Sequence, residues 1–155
     1  MQISPFVENT KSAYGFTHKI ELTFADLVGK TSGTAFPIFP GTTLAQTYPI
    51  GTVIHRCAVK LVTLFVSAGS TEIDLIIGDG VDPDRLLVSS SVGGSATPPV
   101  AGTWYINPTT IPFAFTAADT LDAVLTFTGG TAAASTAGKI YIYLAIANLN
   151  DLDAA

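Results

Sequence analysis

Between Thr120 and Leu149 the chain reads TLDAVLTFT, GGTAAASTAG and KIYIYLAIANL, and no other stretch restricts its fold as much. In the first arm Leu121, Ala123, Leu125 and Phe127 alternate with Asp122, Val124, Thr126 and Thr128. This period of two marks a strand with one buried face. In the second arm Ile140, Ile142, Leu144 and Ile146 form one face, while Tyr141, Tyr143, Ala145 and Ala147 form an opposite face that is also uncharged. Such a strand is either covered on both sides or turns its tyrosine side to another chain. The two arms with their glycine-containing loop read as a β-hairpin.

The rest of the chain repeats the same period. Phe16 to Phe24 places Ile20, Leu22 and Phe24 opposite Lys19, Glu21 and Thr23. Thr52 to Val66 is the longest strand signal, with Val53, His55, Cys57, Val59, Leu61 and Phe65 on one face and Arg56, Lys60, Leu64 and Val66 among those on the other. EIDLIIG, LLVSSSV, TWYIN and TTIPFAFTA supply further strand-sized runs. Pro37, Pro40 and Pro49 mark edges or extended connections, because proline cannot donate to a ladder. About eight short strands with almost no helical period predict an all-β chain, an antiparallel β-sandwich of jelly-roll type. An immunoglobulin-type Greek key is the alternative, without that family's Cys and Trp pattern.

A chain of 155 residues suits one domain. Residues 1–15 show no period and read as an N-terminal arm, 16–150 as the sandwich, and 151–155 as an acidic tail. Charged residues make up 12% of the chain, against about 25% in soluble domains generally. A surface so poor in charge favours association. The net charge of −5, with seven scattered basic residues, argues against nucleic acid and anionic membranes as partners. No apolar run is long enough to span a bilayer and no secretory pattern opens the chain, which predicts a protein made and used without secretion. Cys57 is the single cysteine, so no internal disulfide forms, and its apolar surroundings make it a small core residue.

Motifs for chemistry are few. ADLVGKTSG and GGTAAASTAGK imitate a phosphate loop, but the glycine needed five residues before the Gly-Lys pair is Phe24 in the first, and in the second Gly130 stands eight residues before Gly138. Both read as turns. In GDGVDPDR, Asp79, Asp82 and Asp84 are candidates for a hard cation; the spacing departs from the EF-hand order, and the same residue types make tight turns in which Arg85 pairs with an aspartate. His18 reads as a satisfied or surface ring and His55 as a buried, hydrogen-bonded one. Without a nucleophile-base pair or paired carboxylates on a recognisable element, the chain is not expected to be an enzyme or to carry a cofactor.

The segment IDLIIGDGVDPDRLLVSS, followed by AADTLDAVLTFTGGTAAASTAGKIYIYLAIANL, resembles small proteins encoded among the head genes of tailed bacteriophages. Their marks are a GDG-x-DPDR turn after an apolar strand and a final hairpin ending in a tyrosine-rich strand. The match covers the C-terminal half. The resemblance implies a virion structural protein that decorates or cements the capsid. It would be made in the host cytoplasm and seated on the capsid surface as a small homo-oligomer, often a trimer, against the major capsid protein. It brings no residue-level site. From the residues themselves, Tyr141 and Tyr143 are the candidate oligomer or capsid interface, and Phe6 and Val7 in the arm are candidates for a tether. The competing reading is a carbohydrate-binding sandwich of a phage fibre or adhesion module, in which Trp104, Tyr105 and the aspartate loop make a calcium-bearing sugar platform.

Overall fold

Among the described residues the chain forms ten strands, the longer of them on the period-two segments: β1 (Gln2–Pro5), β2 (His18–Thr23), β3 (Phe36–Pro37), β4 (Thr52–Ser67), β5 (Glu72–Asp79), β6 (Leu87–Gly93), β7 (Trp104–Tyr105), β8 (Phe113–Ala114), β9 (Leu121–Thr128) and β10 (Ser135–Asn148). The computed structural model describes residues 2–5, 15–38, 47–94, 98–107 and 112–149. The arm residues Phe6 and Val7 and the acidic tail 151–155 lie outside the described residues.

The strands lie in the order β1-β2-β10-β4-β6-β5-β9-β3, with β7 and β8 also on β4. The all-β class holds, but the sheet is mixed and curled rather than purely antiparallel. Among the described residues its one parallel contact is the bridge from Phe65 at the end of β4 to Gly93 at the end of β6. At 16 residues, β4 is about 50 Å long, and this length lets it pair with β10 along one side and meet β8, β7 and β6 in turn along the other. Gly93 makes the junction feasible, since a Cβ there would run into the Phe65 carbonyl.

The expected hairpin does not form. β9 pairs with β5 and β3, and β10 pairs with β2 and β4, so the two arms belong to different halves of the sheet. The connection between them runs beside the β4–β5 turn: Thr71 N–H donates to Thr128 O (2.9 Å), and Ser67 Oγ donates to Thr131 O (2.7 Å). Gly69 and Gly129 sit back to back there with φ of 79° and 80°. The reason lies in the apolar faces. Leu121, Ala123 and Leu125 of β9 and Ile140, Ile142 and Leu144 of β10 are all buried in a single core. Two arms that reach one core from different halves are not neighbours in one ladder.

Along β5 and β9 the pairing runs without a shift from Glu72↔Thr128 to Asp79↔Leu121. Ile73, Leu75 and Ile77 point inward as the period requires. Val124, on the side expected to be open, is 9% exposed and therefore mostly covered. Along β4 and β10 the register shifts repeatedly. Ile54 opposes Ile146 and Arg56 opposes Ala145, so β4 carries one extra residue at His55. The bulge leaves His55 and Arg56 both exposed and returns Cys57, Val59 and Leu61 to the core. The buried ring expected for His55 is therefore corrected.

At the margins, residues 2–5 of the expected arm pair with β2, from Gln2↔Glu21 to Pro5↔His18. β3 ends the strand order and contains Pro37, in keeping with proline at an edge. The first phosphate-loop imitation is a one-turn 3₁₀ helix, Phe24–Leu27, followed by turns. Its start is held by Thr23, whose N–H and Oγ both donate to Asp26 Oδ2 at 2.8 Å.

Candidate interaction face

The outward side of β2, β10, β4 and β7 gathers side chains that are far apart in sequence. Tyr141 opposes Glu21 on one side and Lys60 on the other, and Lys60 opposes Trp104. Cross-strand partners project to the same side of a sheet, so Glu21, Tyr141, Lys60 and Trp104 form one row across four strands. In the next row Tyr143 lies between Lys19 and Ala58. The small Ala58 leaves room for Trp104 to lean toward Tyr143, with ring centroids 5.4 Å apart. Phe16 extends the strip at 5.8 Å from Tyr143, and Tyr141 meets Tyr143 edge to face at 6.3 Å.

Cations line these rings. Lys19 Nζ is 3.5 Å from the Tyr141 centroid, Lys60 Nζ is 5.4 Å from Trp104, and Lys139 Nζ is 5.9 Å from Tyr141 and 2.9 Å from Glu21 Oε1. The Glu21 hydrogen bond raises the Lys139 pKa, and partial burial raises that of the Tyr143 phenol. Trp104 remains 49% exposed and Ile106 beside it 65%. From Tyr141 to Ala147 the tyrosine face of β10 carries no charge, as the sequence reads, but Lys139 at the start of the same strand and Lys19 and Lys60 on its neighbours make it basic. Sequence periodicity had already placed Lys19 and Lys60 on polar faces; the missing information was which strands sit beside β10.

The face continues into an open groove of about 660 Å³, lined by Gly15, Thr17, His55, Arg56, Pro112 and Ala145 to Ala147. Thr17 closes one wall: its Oγ donates to Leu144 O (3.2 Å) and accepts from Ile146 N–H (2.9 Å). His18 Nδ1 is 2.8 Å from the same hydroxyl, and burial lowers the imidazole pKa. Cys57 lies on the opposite, inward side of β4, buried, with its thiol pushed up to about 12. A thiol so placed is a poor nucleophile.

The aspartate turn lies elsewhere. Asp79 is 6% exposed, and its Oδ1 accepts the N–H groups of Val81 (2.9 Å) and Asp82 (2.7 Å), while its Oδ2 accepts Arg85 Nε (2.7 Å). Asp82 reaches Arg85 only at 4.0 Å, and Asp84 is exposed. Asp119 joins the turn by accepting Gly80 N–H at 3.2 Å. Both oxygens of Asp79 are therefore taken by donors that shape the turn. Among the described residues no group of three or more His, Cys, Asp or Glu side chains is placed to hold a metal ion.

The parts of the sugar platform do not come together. Trp104 points outward, whereas Tyr105 turns inward and donates its hydroxyl to Ser91 O at 2.5 Å. Arg85 of the aspartate turn lies over Phe113, which pairs at Ile54. Trp104 pairs at Lys60, six residues further along β4 and so about 20 Å away.

No protein family and no curated protein sequence matches the chain. Its fold is similar to that of a chain in the cyanophage Pam1 capsid asymmetric unit, with a TM-score of 0.52 and 17% identity over 81% of this chain and 79% of that one. A chain of the acidic stable capsid structure of Helicobacter pylori bacteriophage KHP30 aligns with a TM-score of 0.47 and 12% identity over 81% and 83% of the two chains. At 17% identity the Pam1 likeness shows a shared fold. No helix among the described residues is long and apolar enough to cross a membrane.

Proposed function

We propose that this chain is a structural, non-catalytic protein of a tailed-phage capsid that decorates the shell surface as a homo-oligomer, a trimer, and strengthens it through contacts with the major capsid protein. The observation that carries the reading is the fold shared with a chain of the Pam1 capsid asymmetric unit. The half-exposed strip around Tyr141, Tyr143 and Trp104 supports it, because aromatic side chains gathered at a surface suit an interface. The jelly-roll connectivity expected from the sequence belongs to the same proposal. A sugar-binding role draws less support, since Tyr105 is turned away from Trp104.

The test adds purified full-length chain to phage particles that lack it and follows occupancy and heat resistance together. Saturable occupancy with a higher temperature of particle disruption is the expected result. Absence of binding to particles, combined with retention on a glycan array, would overturn the proposal in favour of the sugar-binding alternative.

A further inference from the structure

The two halves of the sheet carry opposite charge. Strands β2, β4 and β10 bear Lys19, Arg56, Lys60 and Lys139 with Glu21 as their one carboxylate. Strands β5, β6 and β9 bear no Lys, Arg or His at all. From residue 68 to residue 134 the chain has seven carboxylates and one cation, Arg85.

On the outward side of β5 and β9 the cross-strand rows are Glu72 with Thr128, Asp74 with Thr126, Ile76 with Val124, and Gly78 with Asp122. The half-buried Ile76, beside the mostly covered Val124, is thus flanked by acids, as the aromatic strip on the other half is flanked by lysines. Arg85, the one cation between residues 68 and 134, stands 2.7 Å from Asp79 and 4.0 Å from Asp82 in the turn at the end of β5. Partial burial and then the charge of Glu72 raise the pKa of Asp74; burial raises that of Asp122, opposed by the Thr120 hydrogen bond and aided by the charges of Asp119 and Asp79. Both faces point away from the common core, so one chain cannot join them.

We infer that the basic aromatic face of one copy docks on the acidic β5–β9 face of a second copy of the same chain, head to tail. Such a contact uses two different patches on each subunit and closes into a ring when its rotation allows. Complementary potentials favour this register over the face-to-face pairing of two lysine-bearing surfaces. The inference rests on the capsid reading only in taking the ring to be the unit that decorates the shell. Single-stranded nucleic acid would also suit lysines beside aromatic rings, but the net charge of −5 opposes it.

The experiment compares sedimentation of full-length wild type with two charge-reversed variants, Lys19→Glu/Lys60→Glu and Glu72→Lys/Asp74→Lys, from about 0.05 to about 0.5 M salt. Each variant alone is expected to weaken self-association about a hundredfold or more, while their equimolar mixture restores it. Carbodiimide cross-linking of mixed isotope-labelled wild type, in solution and on particles, guards against misfolded variants. It should join Lys19 or Lys60 of one copy to Glu72 or Asp74 of another. Wild-type assembly undisturbed by Glu72→Lys/Asp74→Lys would overturn the inference, as would an absence of such cross-links in both settings. A labelled oligothymidine held by the lysine face of a monomer would overturn it in favour of nucleic acid. Rings that never occupy particles would remove the capsid reading alone; occupied particles without these cross-links would remove the head-to-tail contact alone.

Discussion

The β5–β9 pair and the β4–β10 pair are built from similar apolar alternation yet behave differently. The first keeps one register over its whole length, so every inward and outward position follows from counting by two. The second slips at several points, and each slip changes which residues face out. His55 and Arg56 are exposed together only because of the bulge between Ile54 and Arg56, and they help line the groove at the end of the basic face. Regular pairing here supplies core and a plain acidic exterior. Irregular pairing supplies the surface with features.

The sharpest way to break this contrast is at Phe65, where the two halves meet. Its side chain is fully buried, its backbone bridges Gly93, and its ring lies where a Cβ on Gly138 would be. Phe65→Ala should cost about 3–5 kcal/mol, measured by urea unfolding. A loss under about 1 kcal/mol would mean that the halves hold together without the junction.

The turn of the regular half comes next. Asp79→Ala removes the acceptor of three donors and is expected to cost about 2–3 kcal/mol, whereas Asp82→Ala, whose carboxylate stands 4.0 Å from Arg85, should cost less than about 1 kcal/mol. Equal losses in denaturant midpoints would refute a turn centred on Asp79. Chelator should leave the wild-type melt unchanged, because donors already occupy the Asp79 oxygens.

Deleting residues 1–5 tests the edge of the irregular half. Amides of β2 should exchange faster while those of β5 and β9 keep their protection, at a cost of no more than about 1–2 kcal/mol. Faster exchange in β5 and β9 would show that the edge strand supports the whole sheet.

The smallest effects lie in pH dependence, where the halves should tilt in opposite directions. Burial lowers the His18 pKa below its usual 6.5, so the unfolded chain takes that proton first and stability falls as pH drops through 6.5. Asp74 and Asp122 are raised above 3.8, so the folded chain takes those protons first and stability rises as pH falls through their folded values toward 3.8. His18→Gln should flatten the first slope and Asp74→Asn the second in melts across this range. A slope unchanged by its own substitution would show that other groups set it.

Alternation by two follows from the geometry of an extended backbone, so it is local and survives in the sequence. For that reason the segments at Thr52, Glu72, Leu87 and Leu121, and β10 from Lys139 onward, were legible as strands, along with the aspartate turn, whereas Ser135–Gly138 reads as a loop and is the start of β10. Pairing is a different kind of choice. An apolar face gains about as much from one covering neighbour as from another, and so the arms at Thr120–Leu149 look like a hairpin although each finds its partner elsewhere. Bulges depend on what the opposing strand offers and leave no mark in the period. Composition and periodicity determined that this chain is all-β, poor in charge and supplied with an uncharged tyrosine face. Only the tertiary structure brought Lys19, Lys60 and Trp104 beside those tyrosines, because cross-strand neighbours are set by long-range register.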